Sequence, residues 1–102
     1  MIEEALRQLT STAGVQAVHL LEEDGYVIYS HGEETAESVS GEFTRWQTLL
    51  QTAEKKSMIT LVMEQGYLVF DTVGPRILVV KCTRDANLGA LRATIRGVYW
   101  PA

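Results

Sequence analysis

Two histidines and one cysteine are the residues of this sequence best suited to nucleophilic or metal chemistry. His19 alternates with Ala17 and Leu21 in a strand-like run, which favours a core histidine over a catalytic base. His31, in SHGEE, is typical of an exposed loop, and Cys82, in VVKCT, is typical of a small buried hydrophobic residue. Because no pair of the three has the spacing of a zinc motif, we predict no metal site.

The acidic residues do not suggest a catalytic pair either. Glu22–Asp24 fall where a hairpin turn is predicted, so we interpret them as solvent-facing turn residues. Asp71 lies within a predicted strand, where aspartate is disfavoured, and we expect Lys81 or Arg76 on the next strand to pair with it. The sequence contains no GxxxxGK[ST] phosphate loop, no GxGxxG turn and no GxSxG elbow. We therefore predict that the protein is not an enzyme and uses no cofactor.

Length and composition limit the class of protein. The 102 residues suit one domain, which we assign to 1-102. The net charge of −4 argues against nucleic-acid binding, which depends on clustered Lys and Arg. The sequence has a single cysteine, no signal-peptide pattern and no apolar run near the roughly 20 residues that a membrane span needs. We therefore expect a cytoplasmic protein without membrane insertion.

Apolar periodicity predicts the elements that must position any functional residue. The first is a short amphipathic helix with Leu6 and Leu9 on its apolar face and Gly14 as its expected stop. The run VQAVHLLEEDGYVIYS then predicts two strands joined by a tight turn at Asp24-Gly25.

Three further strands and a last helix complete the chain. The runs SMITLVME, YLVFDTV and RILVVKCT are separated by Gln-Gly and Gly-Pro turns. The segment DANLGALRATIRGV predicts a helix capped by Asp85 or Asn87. Runs such as TLVM and ILVV are apolar on both faces, which indicates a sheet covered on both sides. With the helix described next, the order α-β-β-α-β-β-β-α predicts an α+β fold with a five-stranded, mainly antiparallel sheet.

The segment SVSGEFTRWQTLLQTAEKK predicts a long helix with two unlike faces. One face is apolar, and we expect it to bury Trp46 against the sheet beside Phe43 and Leu50. The remainder is polar but nearly uncharged, and it includes Ser40, Gly41, Thr44, Gln47, Thr48 and Gln51. Small neutral side chains suit packing against another protein, although a solvated face that lacks charge is also consistent with the pattern.

Three features together resemble the roadblock family, which comprises the dynein light-chain roadblock group and its bacterial and archaeal relatives. They are the order of the elements, the stretch LLEEDGYVIYS after the first helix and, above all, the stretch GYLVFDTVGPRILVVKCTRDANLGALRATI. Glu23–Gly25 is a varied form of the family's D-x-D/E-G hairpin element. DANLGALRATI, from Asp85 to Ile95, is similar to the A-N-L-G-x-x-R stretch that opens the family's last helix. The resemblance extends from Ile2 to Val98, and its motifs are structural rather than catalytic. It implies a roadblock/profilin-like fold.

The resemblance also implies a function. Members of this family form dimers, have no active site of their own and work with small Ras-like GTPases. Some bacterial members accelerate GTP hydrolysis by a neighbouring GTPase, and eukaryotic members act as scaffolds or dynein subunits. We therefore expect a non-enzymatic homodimeric regulator or scaffold of a Ras-like GTPase. An assembly subunit and a small-ligand sensor domain remain alternatives.

The resemblance implies that SMITLVME is a sheet edge. Between Ser57 and Glu64 this strand has no proline and no charge to block pairing with another strand. We expect it to pair with its own copy across a two-fold axis, with the two long helices antiparallel beside it. The predicted seam consists of Glu37, Ser40, Thr44, Gln47, Gln51, Lys55, Ser57, Met58, Ile59, Thr60, Leu61, Val62 and Met63. Gly41 and Thr48 would remain open as a platform for the GTPase.

Overall fold

The computed structural model describes residues 2–22, 26–32, 58–64, 66–74 and 76–98. Its elements are α1 (Ile2–Ala5), α2 (Arg7–Thr10), β1 (Val15–Leu21), β2 (Val27–His31), β3 (Ile59–Met63), β4 (Gly66–Val73), β5 (Arg76–Thr83) and α3 (Leu88–Arg96). The five predicted strands and the last helix are therefore confirmed. The predicted long helix and the burial of Trp46 lie outside the described residues.

The strands form one antiparallel sheet in the order β2-β1-β5-β4-β3. Two tight hairpins build one half of it, because Met63 pairs with Gly66 and Val73 pairs with Arg76. The other half is the β1–β2 hairpin, which joins the first half through long-range pairs such as Val18 with Val80. The order of the strands across the sheet thus differs from their order in the sequence.

Both faces of the sheet are buried. On the first face, α2 and α3 pack on the sheet through Leu9, Leu91 and Ile95, none more than 1% exposed. The first-face core also includes Leu6, Val18, Leu20, Val69, Leu78, Val80 and Cys82. The second-face core consists of Leu21, Leu68, Phe70, Ile77 and Val79. Burial on both faces was expected from strands that are apolar on both sides.

The N-terminal segment differs from the single helix that its apolar spacing predicted. It forms two four-residue helices, which are separated at Leu6. At the end of the second helix, the hydroxyls of Thr10, Ser11 and Thr12 donate hydrogen bonds of 2.8–3.1 Å to the carbonyls of Arg7 or Gln8. Side-chain hydroxyls that bond the backbone locally compete with helix propagation, which is a physical reason for the early end at Thr10.

Helix α3 begins as the sequence predicted. Asn87 is its N-cap, and its side-chain oxygen accepts a hydrogen bond of 3.0 Å from the backbone N–H of Ala90. Asp85, the other candidate cap, instead accepts a hydrogen bond from the hydroxyl of Thr83. This local pairing leaves Asn87 to cap the helix.

Candidate functional site: an open sheet edge

The strand predicted to form a dimer seam lies at one end of the described sheet. β3 is hydrogen-bonded to β4 and, within the described part of the chain, to no other strand. Within the described sheet, β3 is therefore an edge strand, as the family resemblance implied. Met58 and the five residues of β3 are the part of the predicted seam that the structure describes. The other predicted seam residues, Glu37, Ser40, Thr44, Gln47, Gln51, Lys55 and Ser57, and the platform residues Gly41 and Thr48, lie outside the described residues.

The β3 edge is regular and apolar. Its five residues pair with β4 in unbroken register, from Ile59 opposite Phe70 to Met63 opposite Gly66. Ile59 and Leu61 pack against the second-face core. Val62 and Met63 are 75% and 48% exposed, and they are two of the three large hydrophobic residues exposed in the described structure. A regular edge with exposed apolar side chains is a template for pairing with another strand.

Two arginines bind the backbone at the two ends of β3. Arg92 of α3 donates from Nη2 to the carbonyl oxygen of Met58, at 3.2 Å, and from Nε to the Met58 sulfur, at 3.4 Å. Arg84 donates from Nη1 to the carbonyl oxygen of Glu64, at 3.2 Å. Hydrogen bonds that involve a charged group are worth about 1.5–3 kcal/mol when shielded, and less at an exposed residue such as Arg84. The edge strand is thus held at each end although it carries no charge of its own.

Sequence reasoning missed both contacts. Arg92 lies 34 residues from Met58, and Arg84 lies 20 residues from Glu64. The available signal was the position of Arg92 in α3, directly after the buried Leu91 and so beside the apolar face of the helix.

Asp71 lies on the opposite face of the sheet from Lys81, one of the two partners that the sequence suggested. It pairs across the sheet with Leu78 on the first face, whereas Lys81 is opposite Leu68 on the second face. Burial raises the pKa of the Asp71 carboxyl, while a backbone hydrogen bond at Thr72 and the positive charge of Arg96 act in the opposite direction. The charge near Asp71 therefore comes from α3.

Arg76, the second partner suggested for Asp71, contacts Glu22 instead. Its Nε lies 3.5 Å from the Glu22 carboxylate, and both side chains are more than one third exposed. An exposed ion pair of this kind contributes about 0–1 kcal/mol to stability. The predicted solvent-facing turn role therefore holds for Glu22, while Glu23 and Asp24 lie outside the described residues.

His19 and Cys82 are buried as the sequence predicted, whereas His31 is exposed as predicted but is the last residue of β2 rather than part of a loop. His19 is 1% exposed, and its Nδ1 shares a hydrogen bond of 2.8 Å with the hydroxyl of Ser30, while His31 is exposed. Burial raises the pKa of the Cys82 thiol to about 11, so the thiol is protonated and unreactive near neutral pH. In the described ranges, no group of three His, Cys, Asp or Glu side chains is arranged to hold a metal ion. Nor does any helix in those ranges have the length and apolar character to cross a bilayer.

A cavity of about 240 Å³ lies beside the turn between β3 and β4 and the last residues of β5. It is lined by Gln16, Met63, Glu64, Gly66, Tyr67, Leu68, Lys81 and Cys82. Pockets for small molecules usually measure about 300–1,000 Å³, so this one suits only a very small ligand. Met63 belongs to both the cavity and the β3 edge.

Comparison with known proteins places this geometry in a fold. No protein-family model and no curated protein matches the sequence. A roadblock/LC7 domain structure from Streptomyces avermitilis matches 94% of this chain and 92% of its own, with 21% identity and a TM-score of 0.75. MglB from Myxococcus xanthus matches 93% of this chain and 85% of its own, with 23% identity and a TM-score of 0.72.

A third match comes from a structure of LokiProfilin2 in complex with rabbit actin. It covers 93% of this chain and 90% of its own, with 15% identity and a TM-score of 0.70. At such identities the likeness concerns the backbone arrangement and not the activity. The chain therefore has the roadblock/LC7 fold, an α+β fold, as the resemblance in its sequence predicted.

Proposed function

We propose that this protein is a non-enzymatic, cytoplasmic homodimer that binds a small Ras-like GTPase as a regulator or scaffold. The observation that carries the proposal is the β3 edge, which is regular, uncharged and exposed at Val62 and Met63. Since a profilin shares the fold, the fold alone does not select a function. The edge and the family resemblance together favour the dimeric regulator.

Self-pairing of β3 would explain why this edge strand has no proline and no charged residue to block pairing. Exposed in a monomer, such a strand promotes aggregation, whereas a two-fold axis covers it with its own copy. The sheet then continues through the dimer, and exposed side chains such as Val62 lie beside the seam. In this arrangement Ser40 would approach Gln51 of the second copy, Thr44 would approach Gln47, and Glu37 would approach Lys55.

The action on the GTPase is indirect. The two side chains best suited to act as a base and a nucleophile, His19 and Cys82, are buried and so are not presented to a partner. A dimer of this kind stimulates GTP hydrolysis, where it does so, by repositioning the water-orienting and switch residues of its partner. We assign Gly41 and Thr48 to the surface that the GTPase contacts.

The test combines the oligomeric state with GTP turnover. We expect a dimer at micromolar concentration by sedimentation, and a complex with a Ras-like GTPase encoded in the same genome. Turnover by that GTPase, measured with and without this protein, separates a regulator from a scaffold. A monomer, or the absence of both a complex and a rate change with every encoded GTPase, would contradict the proposal.

Two alternatives differ in the partner. An assembly subunit of a larger complex would co-purify with other proteins and leave GTP turnover unchanged, and mass spectrometry after a pull-down identifies them. A small-ligand sensor is favoured only by the cavity of about 240 Å³ near Lys81. A ligand bound there would raise the melting temperature by mass action, and that rise would be lost when Leu68 is enlarged to Phe.

A further inference from the structure

The first end of β3 depends on a contact from a different part of the chain. As an end strand, β3 is hydrogen-bonded on one side only within the described sheet. Met58, the residue before it, is partly buried and packs against the first-face core. Arg92 binds both the carbonyl oxygen and the sulfur of Met58, so one side chain holds its backbone and its side chain together.

The chemistry of the contact suits a permanent brace. A guanidinium keeps its charge throughout the physiological pH range, and its planar fork presents several N–H donors at fixed angles. Arg92 is partly buried, which limits competition by water. Because the guanidinium belongs to α3, it binds the start of β3 without placing a charged side chain on that strand.

We infer that Arg92 is a positioning residue for self-pairing: it holds the start of β3 extended and in register, so that the edge is ready to meet its copy. The inference rests on the proposed dimer. Arg84 supports the other end through Glu64, but it is exposed and makes a single bond, so its effect is smaller. Through Arg92, helix α3 thereby affects the proposed dimer seam although it is not part of that seam.

Variants of three arginines separate this role from a general loss of charge. R92A removes the brace, and R92K keeps the charge but lacks the fork that reaches both atoms of Met58. R84A removes the weaker brace. R96A is the matched control, because Arg96 lies one turn further along the same helix and is exposed.

Two readouts are needed on the full chain. Sedimentation should show the dimer dissociation constant raised roughly ten- to hundredfold in R92A, less in R92K and R84A, and unchanged in R96A, where tenfold corresponds to 1.4 kcal/mol. Hydrogen exchange should rise at the amides of Ile59–Met63 in R92A while those of β5 stay protected. A merely structural role would instead raise exchange across the whole sheet.

The outcomes are distinct. If the wild type is a dimer and R92A matches R96A in both readouts, the inference is wrong and the proposed function stands. If R92A raises exchange equally in β3 and β5, Arg92 is structural and the inference is again wrong. A monomeric wild type overturns the proposed dimer and this role with it. If R92A does not fold, R92K against R96A decides the same question.

Discussion

The two ends of the described sheet, β2 and β3, are built differently. The pairing of β2 with β1 shifts register between Leu20 and Leu21, and its last residues, Ser30 and His31, are polar and exposed. β3 pairs with β4 without a shift and exposes Val62 and Met63. A bulge twists an edge and interrupts its row of backbone groups, which discourages pairing with another strand. The β2 edge is thus interrupted and polar, whereas the β3 edge is regular and apolar, and this difference favours β3 over β2 for the proposed self-pairing.

The largest effect is expected where β3 turns into β4. Gly66 has φ +157°, and a Cβ at this position would lie 2.0 Å from the carbonyl oxygen of Cys82 on β5. Gly66→Ala should therefore lower the free energy of unfolding by about 3 kcal/mol or more, measured in denaturant. Gly74→Ala is the control, because φ is +60° there but no atom lies within 4 Å of the added Cβ. It should cost only about 1–2 kcal/mol, and equal losses in the two variants would contradict the close approach.

A charge placed on each edge tests the asymmetry directly. Val62→Lys should raise the dimer dissociation constant roughly a hundredfold, because two lysines would face each other near the seam. Since Val62 is 75% exposed, the unfolding free energy of the monomer should change by less than about 0.5 kcal/mol. His31→Lys, at the exposed end of β2, should leave the dimer intact. If His31→Lys dissociates the dimer and Val62→Lys does not, then β2 is the edge in use.

A smaller effect on stability is expected from Asp71, on β4, the strand that is hydrogen-bonded to β3. Because burial raises its pKa above the ordinary 3.8, the folded protein holds this proton more tightly than the unfolded chain does. Asp71 therefore reduces stability progressively as the pH rises from about 3.8 through the raised pKa. Asp71→Asn should match the wild type below that interval and exceed it at neutral pH by less than about 1 kcal/mol, as urea titrations at several pH values would show.

Asp85→Asn is the control of opposite sign. The hydrogen bond from the Thr83 hydroxyl lowers the pKa of Asp85, so its carboxylate stabilises the fold above pH 3.8 and ceases to do so as the pH falls. The asparagine variant should therefore be slightly less stable than the wild type at neutral pH and equal to it in acid. If both asparagine variants changed the neutral-pH stability in the same direction, the opposite pKa shifts of Asp71 and Asp85 would be contradicted.

Sequence reasoning predicted local features well and distant contacts poorly. Short apolar runs separated by turn residues located all five strands, and the Asn87 cap follows from side-chain chemistry within four residues. The strand order is not a local property, and the edge position of β3 came from the family resemblance. The suggestion of Lys81 as a partner of Asp71 was wrong because the strand register places Lys81 on the opposite face of the sheet. The bond from Arg92 to Met58 spans two elements whose distance no local pattern encodes.

The link between β1 and β5 has a consequence for synthesis on the ribosome. Val18 pairs with Val80, so the first strand to be made has to wait some sixty residues for its central partner. The hairpin of β3 and β4 needs only neighbouring residues, so it can form before Arg84 and Arg92 reach their places at the ends of β3. Contacts between residues far apart in sequence also form slowly. The emerging chain therefore exposes its uncharged edge strand before the two arginines have docked on it, and this interval is when chaperones have most reason to bind.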